Sequence, residues 1–195
     1  MAERLTTTLR NQAVVLGAAV AVMWVVFVLT WLSGGALLSL GVIPRSAIGL
    51  RGIFFAPLLH GSVAHLLANT IPFLLLGWLV MLRDARHFTA VTVVATLSSG
   101  MLAWLLGAPG SVHVGASGVI FGYLGFLMLS GWYHRSAASI LLSIAVTVLW
   151  GGLVFGVMPG QAGISWQAHL GGFLGGALAA RSFRTTRSTR MPDFR

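Results

Sequence analysis

The feature that most constrains this chain is a series of six apolar runs, at about 13–32, 63–82, 88–107, 114–130, 137–155 and 163–180. Each approaches the roughly 20 residues that a helix needs to cross the hydrocarbon core of a bilayer. Water is absent there, so a spanning segment has to satisfy its own backbone N–H and C=O groups, and a helix does so. Composition agrees: 57% of residues are hydrophobic and 8% charged, where a soluble domain carries about 25% charged residues. The sequence therefore predicts an all-α polytopic membrane protein, six transmembrane helices in one compact bundle. No soluble domain or internal repeat is evident. The first run is long enough to span and lacks a small-residue cleavage pattern, so it reads as a helix and not as a signal peptide.

Arginine placement predicts the topology. All 12 basic residues are arginine. Arg4 and Arg10 precede the first run. Arg83 and Arg86 follow the second, Arg135 follows the fourth, and five more lie between Arg181 and Arg195. These fall on one side if the runs span in turn, and the positive-inside rule makes that side cytoplasmic. An even number of spans also puts both termini on one side. The expected organisation is a cytoplasmic segment over 1–12, a membrane domain over 13–180, and a basic cytoplasmic tail over 181–195 that can touch anionic membrane lipid. Arg45 and Arg51 lie in the long outer connection, about 33–62. This stretch is too broken by Gly and Pro to span and too apolar to float free, which fits short helical pieces lying on the membrane. The net charge of +9 does not signal nucleic acid, because no basic face interleaved with aromatics exists. Cysteine is absent, which excludes disulfides and thiolate chemistry.

Polar side chains in hydrocarbon are costly and mark function or helix contacts. Three clusters stand out: His60-Gly-Ser-Val-Ala-His65-Leu-Leu-Ala-Asn69 opening the second run, Gly115-Ala-Ser117-Gly118 opening the fourth, and Ala168-His169-Leu-Gly-Gly172-Phe-Leu-Gly-Gly176 in the sixth. His65 and Asn69, four apart, share a helix face; they are either interhelical glue or donors to an oxyanion. Ser117 stands where a helix begins, either as a simple N-cap or as a nucleophile beside unpaired, partly positive amides. Gly118, Gly122 and Gly125 on one helix, and Gly172 and Gly176 on another, allow close backbone approach. Two such helices, one bearing serine and the other histidine, are what a serine–histidine pair requires. His60 reads as structural, and His113, in the loop before Ser117, is a weaker base candidate. The only acids are Glu3, Asp84 and Asp193, all on the inner side, so an aspartyl protease is excluded. No HExxH motif offers zinc, and no metal or cofactor is expected. A backbone carbonyl, an aromatic ring or packing has to orient the imidazole instead of a carboxylate.

Taken together, HGSVAHLLANT (60–70), GASG (115–118) and AHLGGFLGG (168–176) resemble the rhomboid family of intramembrane serine proteases, in its six-helix bacterial form. The resemblance implies that Ser117 attacks a scissile carbonyl and His169 takes its proton, with His65, Asn69 and the Ser117 backbone N–H binding the oxyanion. Gly115 and Gly118 would keep the backbone open beside the nucleophile, and Gly172 would let the sixth helix close on the fourth. Many members carry a tyrosine that stacks on the histidine one turn after the serine. Phe121 holds that position here and can stack but not hydrogen-bond. Leu50-Arg51 stands at about the place of a Trp-Arg pair in many members. The resemblance implies an enzyme of a bacterial plasma membrane that cleaves single-span transmembrane proteins from a cavity opening outward, with a small residue before the cut. A catalytically silent relative that binds membrane clients is the alternative. A channel or carrier is disfavoured by the lack of intramembrane ion pairs.

Overall fold

A computed structural model describes residues 2–83, 85–161 and 163–183, with side chains from residue 6 onward. Asp84 and most of the basic tail, residues 184–195, lie outside the described residues. The helices in chain order are α1 (Ala2–Leu32), α2 (the single turn Gly52–Phe55), α3 (Val63–Arg83), α4 (Ala85–Leu106), α5 (Ser117–His134), α6 (Ala137–Trp150) and α7 (Trp166–Ser182). No strand forms among the described residues beyond an isolated bridge between Val42 and His113.

The six long helices match the six apolar runs. Four stretches, Thr6–Leu32, Val63–Arg83, Ala85–Leu106 and Ala137–Val157, are long and apolar enough to cross a membrane. The other two helices, α5 and α7, have 18 and 17 residues and are diluted by Gly, Ser and His. Of these, α5 is the interior helix, and α7 packs along it while turning Leu174 and Leu178 outward. Every residue of α5 from Gly118 to Leu127 is buried, as expected of a helix enclosed by others on all sides. The surrounding helices turn large apolar side chains outward, Val148 at 77% exposure and Trp31 at 73% among them. Exposed apolar surface on this scale is what a lipid environment requires.

Helix ends follow local chemistry. Ser136 caps α6 by accepting the Ser139 N–H at 3.2 Å, and Ser165 caps α7 by accepting the Ala168 N–H at 3.3 Å. Caps of this kind are worth about 1 kcal/mol. The fifth run ends its α-helix at Trp150 and tightens into a 3-10 segment, Gly151–Val157, where three glycines weaken α-helix propensity. The first helix reaches back to Ala2, beyond the apolar part of its run. The outer connection contains short helical pieces, 3-10 turns at Ala36–Leu40, Ile48–Arg51 and Ala56–Leu58 around α2.

Polar ties fix the bundle at both ends. Arg83, ending α3, donates to Ser130 Oγ of α5 at 2.7 Å and to Ser139 Oγ of α6 at 2.8 Å. At the other end, the Arg45 guanidinium donates to the Gly107 carbonyl at 2.9 Å, just past the end of α4, and Trp104 Nε1 donates to Ser46 O at 2.9 Å. A cation on the last carbonyls of a helix also complements its dipole. The outer connection is thereby docked on α4, and Arg45 supplies the docking that Arg51, with one 3.4 Å contact to Ser39 O, barely provides.

Candidate active site

Ser117 is the first residue of α5, following Ala116, which offers no side-chain cap. Its hydroxyl is therefore not spent on capping this helix. It lies 2.8 Å from His169 Nε2 on the first turns of α7. The approach depends on the seam between the two helices. A Cβ placed on Gly172 would strike the carbonyl oxygen of Gly118, and one on Gly176 the carbonyl oxygen of Gly122. Backbone thus lies on backbone, and the serine and histidine of the two strips face each other.

The imidazole has one definable tautomer. His169 Nδ1 lies 2.9 Å from the carbonyl oxygen of Gly156, in the 3-10 segment before α7. A carbonyl only accepts, so Nδ1 carries the proton and Nε2 presents its lone pair to the Ser117 O–H. Phe121, one turn beyond Ser117, stacks on the ring with centroids 4.1 Å apart and planes 14° from parallel. The imidazole is 8% exposed. Both orienting groups left open by the sequence, a carbonyl and an aromatic ring, act here together.

The sequence reasoning did not find Gly156. A Cβ at this position would come 2.9 Å from Phe121 Cζ and 3.1 Å from His169 Nδ1, so a larger residue would push against the stacked rings. The run Trp150-Gly-Gly-Leu-Val-Phe-Gly156 signals a departure from α-helix but not which carbonyl faces the histidine.

His65 and Asn69 of α3 line the same cavity as Ser117 and His169, a space of about 540 Å³. Gly115, at φ +117°, is in a backbone region open to glycine; a Cβ on it would come 2.6 Å from His65 Nε2. Its N–H donates to the Ala56 carbonyl at 2.8 Å, anchoring the loop before Ser117 to the outer connection. The Asn69 amide donates one N–H to the His65 carbonyl at 2.8 Å and retains a second. Pro72, also on the cavity wall, lacks an N–H and so leaves the Ala68 carbonyl without its helical partner. Gly118 does not leave open space beside the serine: a Cβ there would meet Ser99 of α4 at 2.6 Å, so its smallness serves helix packing.

His60 is fully buried, its ring edge-on to His65 with centroids 5.0 Å apart. Burial, then the neighbouring His65, lowers its pKa to about 4, so it stands neutral beside the cavity. His113 lines the same cavity, but its ring nitrogens meet Ser111 and Ser165 and not Ser117. Among the described residues no group of three or more His, Asp or Glu side chains could hold a metal ion.

Comparison with known proteins agrees with this architecture. The family model of the rhomboid domain matches residues 48–185. An uncharacterized protein of Mycobacterium tuberculosis is 41% identical over 186 residues, covering 89% of this chain and 78% of its own. RHOMBOID-like protein 5 of Arabidopsis thaliana is 32% identical over 127 residues, 60% of this chain and 39% of its own. Rhomboid-like protease 5 of Toxoplasma gondii is 33% identical over 161 residues, 77% of this chain and 18% of its own. The fold is that of a helical membrane bundle matched over most of its length by the rhomboid domain, and the chain belongs to the rhomboid family.

Proposed function

We propose that the chain is an intramembrane serine endopeptidase working through a Ser117–His169 dyad. The observation that carries this reading is the 2.8 Å contact of Ser117 Oγ with His169 Nε2, whose other nitrogen is engaged by Gly156. Ser117 Oγ attacks the scissile carbonyl carbon while its proton passes to Nε2. The resulting imidazolium keeps its Nδ1–H on the Gly156 carbonyl, a dipole standing where a triad would have a carboxylate. The Ser117 backbone N–H, the His65 ring and the free Asn69 N–H receive the developing oxyanion. Collapse breaks the C–N bond, and the leaving amine takes the proton from Nε2. Water then attacks the Ser117 ester with His169 again as base, releasing the new carboxylate.

The arginine pattern supports cytoplasmic termini and a cavity facing outward in a bacterial plasma membrane. Arg83, Arg86, Arg135 and Arg181 all stand at helix ends opposite the one that opens on Ser117. Substrates are then single-span proteins cut in the outer part of their helix. A peptide bond inside a helix is shielded, so Gly, Pro or β-branched residues near the cut lower the cost of local unwinding. The family likeness favours a small residue before the cut. The test is product mass analysis on a single-span reporter in proteoliposomes. Cleavage after Ala, Ser or Gly near the outer end is expected, slowed strongly by a large residue at that place. Cleavage near the cytoplasmic end, or indifference to residue size, would contradict the reading. A silent client-binding role is disfavoured because both dyad residues are present and in contact.

A further inference from the structure

His113 sits in the loop between α4 and α5, and both of its ring nitrogens are engaged. Nε2 lies 3.0 Å from Ser111 Oγ, and Nδ1 lies 2.6 Å from Ser165 Oγ. The directions of these bonds follow from their neighbours. The Ser111 hydroxyl donates to the Ala108 carbonyl at 2.7 Å, so it accepts from Nε2–H. Nδ1 is then the acceptor, and Ser165 donates to it while accepting the Ala168 N–H at 3.3 Å. Every proton in the chain has one place to go. Desolvation by burial lowers the His113 pKa, which favours the neutral ring these bonds need.

The main chain of the same residue is equally committed. His113 N–H donates to the Val42 carbonyl at 2.9 Å and its carbonyl accepts from Val42 N–H at 3.0 Å. The ring occupies a slot that requires glycine opposite, since a Cβ on Gly107 would come 2.5 Å from Nε2. One residue therefore joins the outer connection, the loop leading to Ser117, and the N-cap of α7. Ser117 lies four residues beyond His113, and His169 four beyond Ser165. The glycine seam locks α5 to α7 from Gly118 inward, but Ser117 stands at its open end.

We propose that His113 is a positioning residue for the dyad, clamping the first turn of α7 to the loop that delivers Ser117 and so holding Nε2 in line with Oγ. The proposal rests on Ser117 and His169 being the reacting pair. His113→Phe keeps the ring's bulk and loses both bonds. His113→Asn restores an acceptor near the Nδ1 position.

The experiment compares wild type, His113→Phe, His113→Asn, Ser165→Ala and the His113→Phe/Ser165→Ala double variant as purified full-length protein in proteoliposomes. Readouts are kcat and KM on a single-span reporter, the labelling rate of Ser117 by a fluorophosphonate, and hydrogen exchange at the Ala168 and His169 amides. A small misalignment of reacting groups costs about tenfold or more in rate. His113→Phe is thus expected to lower kcat and labelling about tenfold with KM within about twofold, and His113→Asn to recover most of the loss. In the Ser165→Ala background, which already lacks the His113–Ser165 bond and the α7 cap, His113→Phe should cost clearly less than it does in wild type. Wild-type rates in His113→Phe, or losses matched wholly by a lower folded fraction, would overturn the clamp. If wild type itself neither labels nor cleaves, the protease reading falls. Hydrogen exchange still decides the clamp in that case: faster exchange at Ala168 and His169 in His113→Phe supports it, and unchanged exchange removes it.

Discussion

Where α5 meets α7, backbone lies against backbone, with Gly172 and Gly176 set on the carbonyls of Gly118 and Gly122. Along the outward face of α6, Leu141, Val148 and Leu149 are 67%, 77% and 75% exposed. A soluble protein would bury the second set. In lipid the driving force is different: leucine gains little by leaving hydrocarbon for another leucine, so tight association falls to small residues and polar links. Under the proposed function, the difference also explains where the chemistry would sit. A dyad needs two side chains held to a few tenths of an ångström, and a glycine seam leaves less room for drift than a lipid-facing apolar contact.

The largest effect expected is from the dyad itself. Ser117→Ala, His169→Ala and the double variant should each lose on the order of 10⁴-fold or more in turnover on a single-span reporter, without adding to one another. Additive losses would mean that the two do not act as a unit. Next come the cavity-wall donors. His65→Ala and Asn69→Ala should each lower kcat about 10²–10³-fold, with the loss softened where the remaining donors compensate. Unchanged turnover in both folded variants would reduce His65 and Asn69 to interhelical contacts.

The seam and the α6 face can then be set against each other directly. Gly172→Ala forces a methyl onto the Gly118 carbonyl and should cost about 1–3 kcal/mol of stability, with turnover falling further than stability alone explains. Val148→Ala on the lipid face should stay within about 0.5 kcal/mol in the same unfolding assay. Equal effects at the two positions would break the contrast. Phe121 gives a finer test. Phe121→Tyr should be tolerated, whereas Phe121→Ala should lower kcat more than the thermal midpoint, because the ring covers the imidazole.

Much of this was legible in the sequence because membrane segments announce themselves by length and apolarity. Six runs gave six long helices, and the Ser, His and Gly motifs fell on the helices that touch. What stayed hidden was carried by backbone. The Gly156 carbonyl that sets the His169 tautomer is not a side chain, so no residue pattern names it. Arg45 was less visible than Arg51, although Arg45 is the one whose guanidinium closes the end of α4. His113 was legible only as a weaker base candidate in the loop before Ser117. Its link to Ser165 joins residues 52 positions apart, and no helical or strand periodicity reports such a contact. Gly118 was legible as a small residue for close helix approach, while the opening beside the nucleophile came from the family likeness; that its neighbour is Ser99 of α4 depends on the helix rotation, which spacing alone does not fix.

The pairing of Ser117 with His169 is tested most directly by fluorophosphonate labelling of the purified protein, with the modified residue located by peptide mass. The dyad predicts a single adduct on Ser117, strongly slowed in His169→Ala and absent in Ser117→Ala, under conditions where both variants remain folded. An adduct on another residue, or Ser117 labelling at an undiminished rate without His169, would contradict it.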